Sequence, residues 1–167
     1  MFDHRIQDGS KEHACLDEAV LGLMLDLDRQ RPWSEAEIAR AISTPGHVPD
    51  SLKRLRAAGL IHRWNDLVTA SHPTVRFHEL SQSGDQASAK ERHDDRAVLD
   101  SLLIRGGEQG PMSEQQICSA FGAKKEKKRL AITDALDRLD AAGLIERRGG
   151  RAIASEVAKR LDQLSTL

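Results

Sequence analysis

Nine basic and five acidic side chains fall between Lys124 and Arg151, the densest positive stretch in the chain. The cations come in two groups. Lys124, Lys125, Lys127, Lys128 and Arg129 form a run broken only by Glu126, while Arg147, Arg148 and Arg151 surround Gly149-Gly150, with Arg138 between the groups. Two separate cationic segments could neutralise phosphates on a polyanion from both sides. The plainer reading is a solvated helix face, and Asp134, Asp137 and Asp140 favour it, because carboxylates repel phosphate. An acidic side chain can nonetheless accept a hydrogen bond from cytosine N4. Earlier in the chain a sparser set offers the same chemistry: His47, Lys53, Arg54 and Arg56, then Arg63 beside His62 and Trp64.

No other chemistry rises to a motif. The seven histidines, at positions 4, 13, 47, 62, 72, 78 and 93, show no ligand spacing with Cys15 or Cys118, so no metal site is expected. Two distant cysteines make no disulfide framework, and Cys118 beside Ile117 reads as a small buried thiol. There is no glycine-rich phosphate loop, nucleophile elbow or recognisable carboxylate pair. The expectation is a protein that is not an enzyme and uses no cofactor.

The elements that must position the cations are written twice. Ala19-Val20-Leu21, Pro32-Trp33-Ser34-Glu35, Ile38, Ala41, Ala57-Ala58-Gly59-Leu60-Ile61 and Ala70-Ser71 return in order as Ala97-Val98-Leu99, Pro111-Met112-Ser113-Glu114, Ile117, Ala120, Ala141-Ala142-Gly143-Leu144-Ile145 and Ala154-Ser155. The offset is 78 at the first block, 79 at the second and 84 from Ala57 onward, which marks a duplicated structural unit. The expected division is an arm over 1–12, a first domain over 13–81, a polar linker over 82–92 and a second domain over 93–167. Small domains bury a limited share of their surface, so the copies should pack on each other or on a partner.

Each copy opens with an apolar helix, carried by Leu16, Val20, Leu23, Met24 and Leu27 and by Val98, Leu99, Leu102 and Leu103. Ser34 with Glu37, and Ser113 with Gln116, have the spacing of a capping box that starts a short second helix. The first of these ends near Ser43-Thr44. A third helix turns Val48, Ser51, Leu52, Leu55 and Ala58 inward, matched by Ile132, Ala135, Leu136, Leu139 and Ala142. Gly59 and Gly143 then sit where a left-handed cap ends it. Leu60–Trp64 and Leu67–Ala70 make a hairpin about Asn65-Asp66; Leu144–Arg148 and Arg151–Ala154 make one about Gly149-Gly150, the stronger turn. A last helix follows from Val75 and from Glu156. Trp33, which aligns with Met112, reads as core packing. Trp64 aligns with Arg148 and so is not core in both copies; it packs between domains or touches a partner.

This order, with the runs Leu55–Arg63 and Leu139–Arg147, resembles the winged helix-turn-helix proteins, and those runs are similar to the junction of recognition helix and wing in MarR-like bacterial regulators. The resemblance implies a mostly α fold with small β-hairpin wings (α+β), two tandem winged helix-turn-helix domains, and a DNA-binding regulator of transcription. It places His47, Lys53, Arg54 and Arg56 on the first recognition helix and Arg63 on its wing. Lys124, Lys125, Lys127, Lys128, Arg129 and Arg138 fall to the second helix, and Arg147, Arg148 and Arg151 to the second wing. Double-stranded DNA is the expected partner, with a homodimer or a protein partner left open.

The rival expectation is a protein-interaction scaffold, since winged helices also serve in assemblies. The net charge of −1 speaks for it, as it gives no global pull toward nucleic acid. No apolar run approaches membrane length and the start lacks the apolar core of a signal peptide, so the cytoplasm is the expected compartment.

Overall fold

The computed structural model describes residues 5–26, 31–42, 45–82 and 89–165. Eight α-helices and six short strands occur among them, in the order α1 (Arg5–Leu25), β1 (Trp33–Ser34), α2 (Glu35–Ala41), α3 (Val48–Ala57), β2 (Ile61–Trp64), β3 (Leu67–Ala70), α4 (His72–Ser81), α5 (Ala89–Gln109), β4 (Met112–Ser113), α6 (Glu114–Ala120), α7 (Glu126–Ala141), β5 (Ile145–Arg148), β6 (Arg151–Ala154) and α8 (Glu156–Ser165). A 3-10 turn, Pro45–His47, leads into α3. The chain is mostly helical with two small antiparallel sheets, an α+β architecture, and the elements recur in the same order.

The chain divides into two compact units, Met1–Val75 with Arg160–Leu167, and Arg76–Lys159. The last helix of each copy, α4 and α8, starts in one unit and ends in the other. The expected arm differs, because α1 begins at Arg5. The linker's expected helical end, running into 93–103, is α5 from Ala89 onward. The second helix, α2, ends at Ala41, just short of the expected end near 43–44, while Leu27 and the linker positions 83–88 lie outside the described residues.

In the first unit α1 packs on α3. Val20, Met24 and Leu25 meet Val48, Leu52 and Leu55 in a core that Ile38, Leu60, Ile61 and Val68 complete. Each fully buried leucine contributes about 1.5–3 kcal/mol by leaving water. Ser34 caps α2: its hydroxyl accepts from the Glu37 N–H at 3.2 Å, and the Glu37 carboxylate accepts from the Ser34 N–H at 2.8 Å. Gly59, at φ 73°, ends α3 and lets the chain turn into β2. The sheet order is β1-β3-β2, with Ile61 opposite Ala70 and Trp64 opposite Leu67.

The second unit repeats these devices. Ser113 and Gln116 form the capping box of α6, Gly143 at φ 72° ends α7, and the sheet runs β4-β6-β5 with Arg148 opposite Arg151. Gly149 and Gly150, both at positive φ, give the turn. The strands β1 and β4 were not anticipated, since two residues carry no alternation to read. Trp33 and Met112 are both buried at their centres, as core packing requires.

The third helices differ in length. By the offset of 84, Val48 corresponds to Ile132, yet α7 starts at Glu126. The five residues by which the offset grows are absorbed here, and α7 runs six residues further at its N-terminus. At 1.5 Å per residue that is about 9 Å of added helix.

Candidate nucleic-acid interface

The added helical segment and the two residues before it carry five of the nine cations between Lys124 and Arg151. Lys124, Lys125, Lys127, Lys128 and Arg129 are all exposed on or just before it. Lys128 is tied down, its Nζ donating to the Phe121 carbonyl at 2.6 Å. At the hairpin tip, Arg148 and Arg151 stand directly opposite each other and both are exposed. Like charges facing across two strands oppose pairing. Glu146 offsets part of this by meeting Arg148 at 3.0 Å, while the Arg148 side chain remains 87% exposed.

Four of the expected site arginines are committed elsewhere. Arg54, expected to face outward from α3, instead reaches the buried Asp17: Nη2 donates to Oδ1 at 2.7 Å and Nε to Oδ2 at 3.2 Å. The Ser51 hydroxyl donates to the same Oδ1 at 2.6 Å, and Arg160 lies 3.9 Å from Oδ2. Arg138 does likewise on α7, closing on the buried Asp95 at 2.6 Å, with Arg76 joining it at 3.0 Å. Hydrogen bonds to Asp95 raise the Arg138 pKa above its ordinary value, locking its charge. Arg63 pairs with Glu35 at 2.9 Å, and Arg147 pairs with Asp137 and, at 3.7 Å, with Glu114. These three ion pairs staple each hairpin to its own helices. His47 and Arg56 are exposed, and Lys53 is exposed beside Asp50 at 3.2 Å.

The residues missed from sequence are Asp17, Asp95, Arg76 and Arg160. A signal existed. Asp17 and Asp95 differ by 78, Arg54 and Arg138 by 84, and Arg76 and Arg160 by 84, the same offsets as the duplicated blocks. Among the charged residues that repeat with the apolar frame are both buried clusters and the half-exposed pairs Arg63–Glu35 and Arg147–Glu114.

Among the described residues no group of three or more His, Cys, Asp or Glu could hold a metal ion, and no helix is long and apolar enough to cross a membrane. Cys118 is buried and Cys15 exposed. At the tip of the first hairpin Trp64 is 79% and Leu67 48% exposed. No protein-family model matches the chain, and neither a curated protein nor a solved structure matches it.

Proposed function

We propose that this chain binds double-stranded DNA as a cytoplasmic transcriptional regulator, resembling MarR-like proteins and built of two tandem winged helix-turn-helix units. In this reading α3 and α7 are the recognition helices and the two hairpins the wings. The observation that carries it is the pairing, within one unit, of the exposed cationic start of α7 with the facing Arg148 and Arg151 of the adjoining hairpin. Opposed arginines disfavour the hairpin, and a phosphate backbone bridging helix and wing would supply counter-charge. With Arg54 and Arg138 tied to interior carboxylates, the grip on phosphate rests on lysines of α7 and on the wing.

The test is fluorescence anisotropy with a random duplex between about 50 and 200 mM salt. Phosphate binding weakens as a power of salt, with a slope near −0.9 per phosphate contacted. A slope of several units supports the reading; no binding by the folded protein at the low-salt end overturns it.

One observation favours the scaffold instead. Trp64 and Leu67 form an exposed apolar cross-strand pair at the first hairpin tip, and a buried aromatic anchor is what a protein interface centres on. Loss of a protein partner, with duplex binding unchanged, in a Trp64→Ala variant would mark that hairpin as a protein contact.

A further inference from the structure

One face of α5 carries the spacing of a helix-pairing seam. Lys90, Asp94, Ala97, Ser101 and Ile104 follow one another at steps of four, three, four and three residues, as the core positions of a coiled coil do. All five line two cavities of the second unit, of about 530 and 350 Å³. The cavities adjoin, because Ala97 and Phe121 belong to both. Together they make a groove that follows α5 from Lys90 to Ile104, about 21 Å at 1.5 Å per residue.

The groove is small-walled in the middle and cationic at its ends. Ala97 and Ser101 face Ala120 and Phe121 at the centre. Lys90, Lys125, Lys127 and Lys128 surround one end, with Asp94 as the single carboxylate, and Arg105 stands at the other beside Ile104, which is 70% exposed. Among the described residues Lys90, Lys125, Lys127 and Arg105 make no ion pair.

Length, spacing and charge together select the occupant. A small molecule would fill one cavity and leave the other open. An extended chain, whose side chains alternate every two residues, does not keep step with a seam of fours and threes, whereas a helix does. Side chains as small as Ala97 and Ser101 let a second helix approach to an axis separation of about 8–10 Å. A nucleic-acid backbone would meet the cations and leave Phe121 and Ile104 bare. The seam is particular to the second copy: at the offset of 78, Glu12, Leu16, Leu23 and Asp26 stand in place of Lys90, Asp94, Ser101 and Ile104, and Ala19 alone matches.

We propose that this groove docks an acidic amphipathic helix of a partner protein, about four turns long. Its apolar side chains seat over Ala97 and Ser101 against Phe121 and Ile104, and its carboxylates meet the lysines and Arg105. The docking is independent of the DNA reading.

Fluorescence anisotropy of labelled synthetic peptides with the full chain, without DNA, tests it. The probes are a peptide of about four turns with leucine on its seam and glutamate on its flanks, the same peptide with lysine for glutamate, and a scramble of the acidic one that keeps its composition and loses the seam. The acidic peptide should bind one to one, and each control at least about tenfold more weakly. Ile104→Glu, at an exposed position, and the pair Lys125→Glu with Lys127→Glu should each weaken the acidic peptide about tenfold or more, while Trp64→Ala leaves it unchanged. No binding up to about 100 μM, equal affinity for either control, or unchanged affinity in either groove variant would overturn it. So would an affinity lost in Trp64→Ala, which would place the peptide on the first hairpin. Because no duplex is present, failure here leaves the DNA reading standing.

Discussion

Arg138 closes on Asp95 through three hydrogen bonds: Nε donates to both carboxylate oxygens, at 3.0 and 3.1 Å, and Nη2 donates to Oδ1 at 2.6 Å. Arg54 makes the same fork on Asp17, and in each case the aspartate is buried while the arginine keeps an edge in water. A buried carboxylate survives only if its charge and lone pairs are met. The position on α3 and α7 that the sequence offers to a polyanion is thus an internal fastening in both copies.

Replacing Asp95 with Asn removes that charge at nearly constant shape. Arg76 and Arg138 are left without a counter-charge, but their side chains are 25% and 35% exposed, so water relieves them in part. The cost should fall below the 3–5 kcal/mol of a fully buried broken pair, at about 2 kcal/mol. Urea denaturation should show a lowered midpoint with an unchanged slope. Arg160→Ala, which removes a looser 3.9 Å partner of Asp17, should cost less than about 1 kcal/mol. If the Asp95→Asn midpoint does not move, the fork is not holding the unit together.

Glu37 should titrate far below its ordinary value. Hydrogen bonds from Arg31, from the Ser34 backbone and from the Ser34 hydroxyl lower its pKa from 4.5 to about 2. The sign follows from linkage: a depressed carboxylate adds stability that is complete above pH 4.5 and is lost as pH falls toward 2. Side-chain carboxyl NMR should give a midpoint near 2, rising toward 4.5 in Arg31→Ala. A midpoint near 4.5 in the unaltered protein would remove this account of the α2 cap.

Charge variants should separate phosphate contacts from internal fastenings. Lys127→Ala and Arg151→Ala should each weaken duplex binding and reduce the magnitude of the salt slope by about 1, with little change in stability. Arg54→Ala should do the reverse, lowering stability through Asp17 and leaving the slope alone. A slope change in Arg54→Ala equal to that in Lys127→Ala would show that Arg54 leaves Asp17 to reach phosphate.

The two hairpin turns should differ in tolerance. Gly150 lies at φ 73° with nothing within 4 Å of where a Cβ would sit, so Gly150→Ala meets no clash and costs only the left-handed backbone, about 1 kcal/mol. Asn65 holds φ 53° as a non-glycine residue, so Asn65→Gly should be neutral or slightly stabilising. Thermal melts of both variants would check this; a melt unchanged by Gly150→Ala would contradict the strain argument.

Local devices were legible in the sequence because each has its own short-range signature. The capping boxes at Ser34 and Ser113, the helix ends at Gly59 and Gly143, and the Gly149-Gly150 turn all occur where residue type demanded. So did the inward faces of α3 and α7. What escaped was set by tertiary placement. Helical spacing puts Arg54 and Arg138 on the outer flank of an apolar stripe, and nothing local tells whether such a side chain meets phosphate or an aspartate 37 or 43 residues away. The longer start of α7 was legible as well: the run from Lys124 to Arg129 falls to this helix, which begins at Glu126.

The exchange of helix ends between the two compact units has a genetic consequence. Arg76 is written in the first copy yet serves the aspartate of the second; Arg160 is written in the second and serves the aspartate of the first. Neither copy encodes the whole of one unit, so the copies cannot drift as independent lineages. Arg160 lies more than a hundred codons from the Asp17 it approaches, and cutting the reading frame at the linker would leave each fragment its aspartate and the arginine of its third helix but not the second arginine.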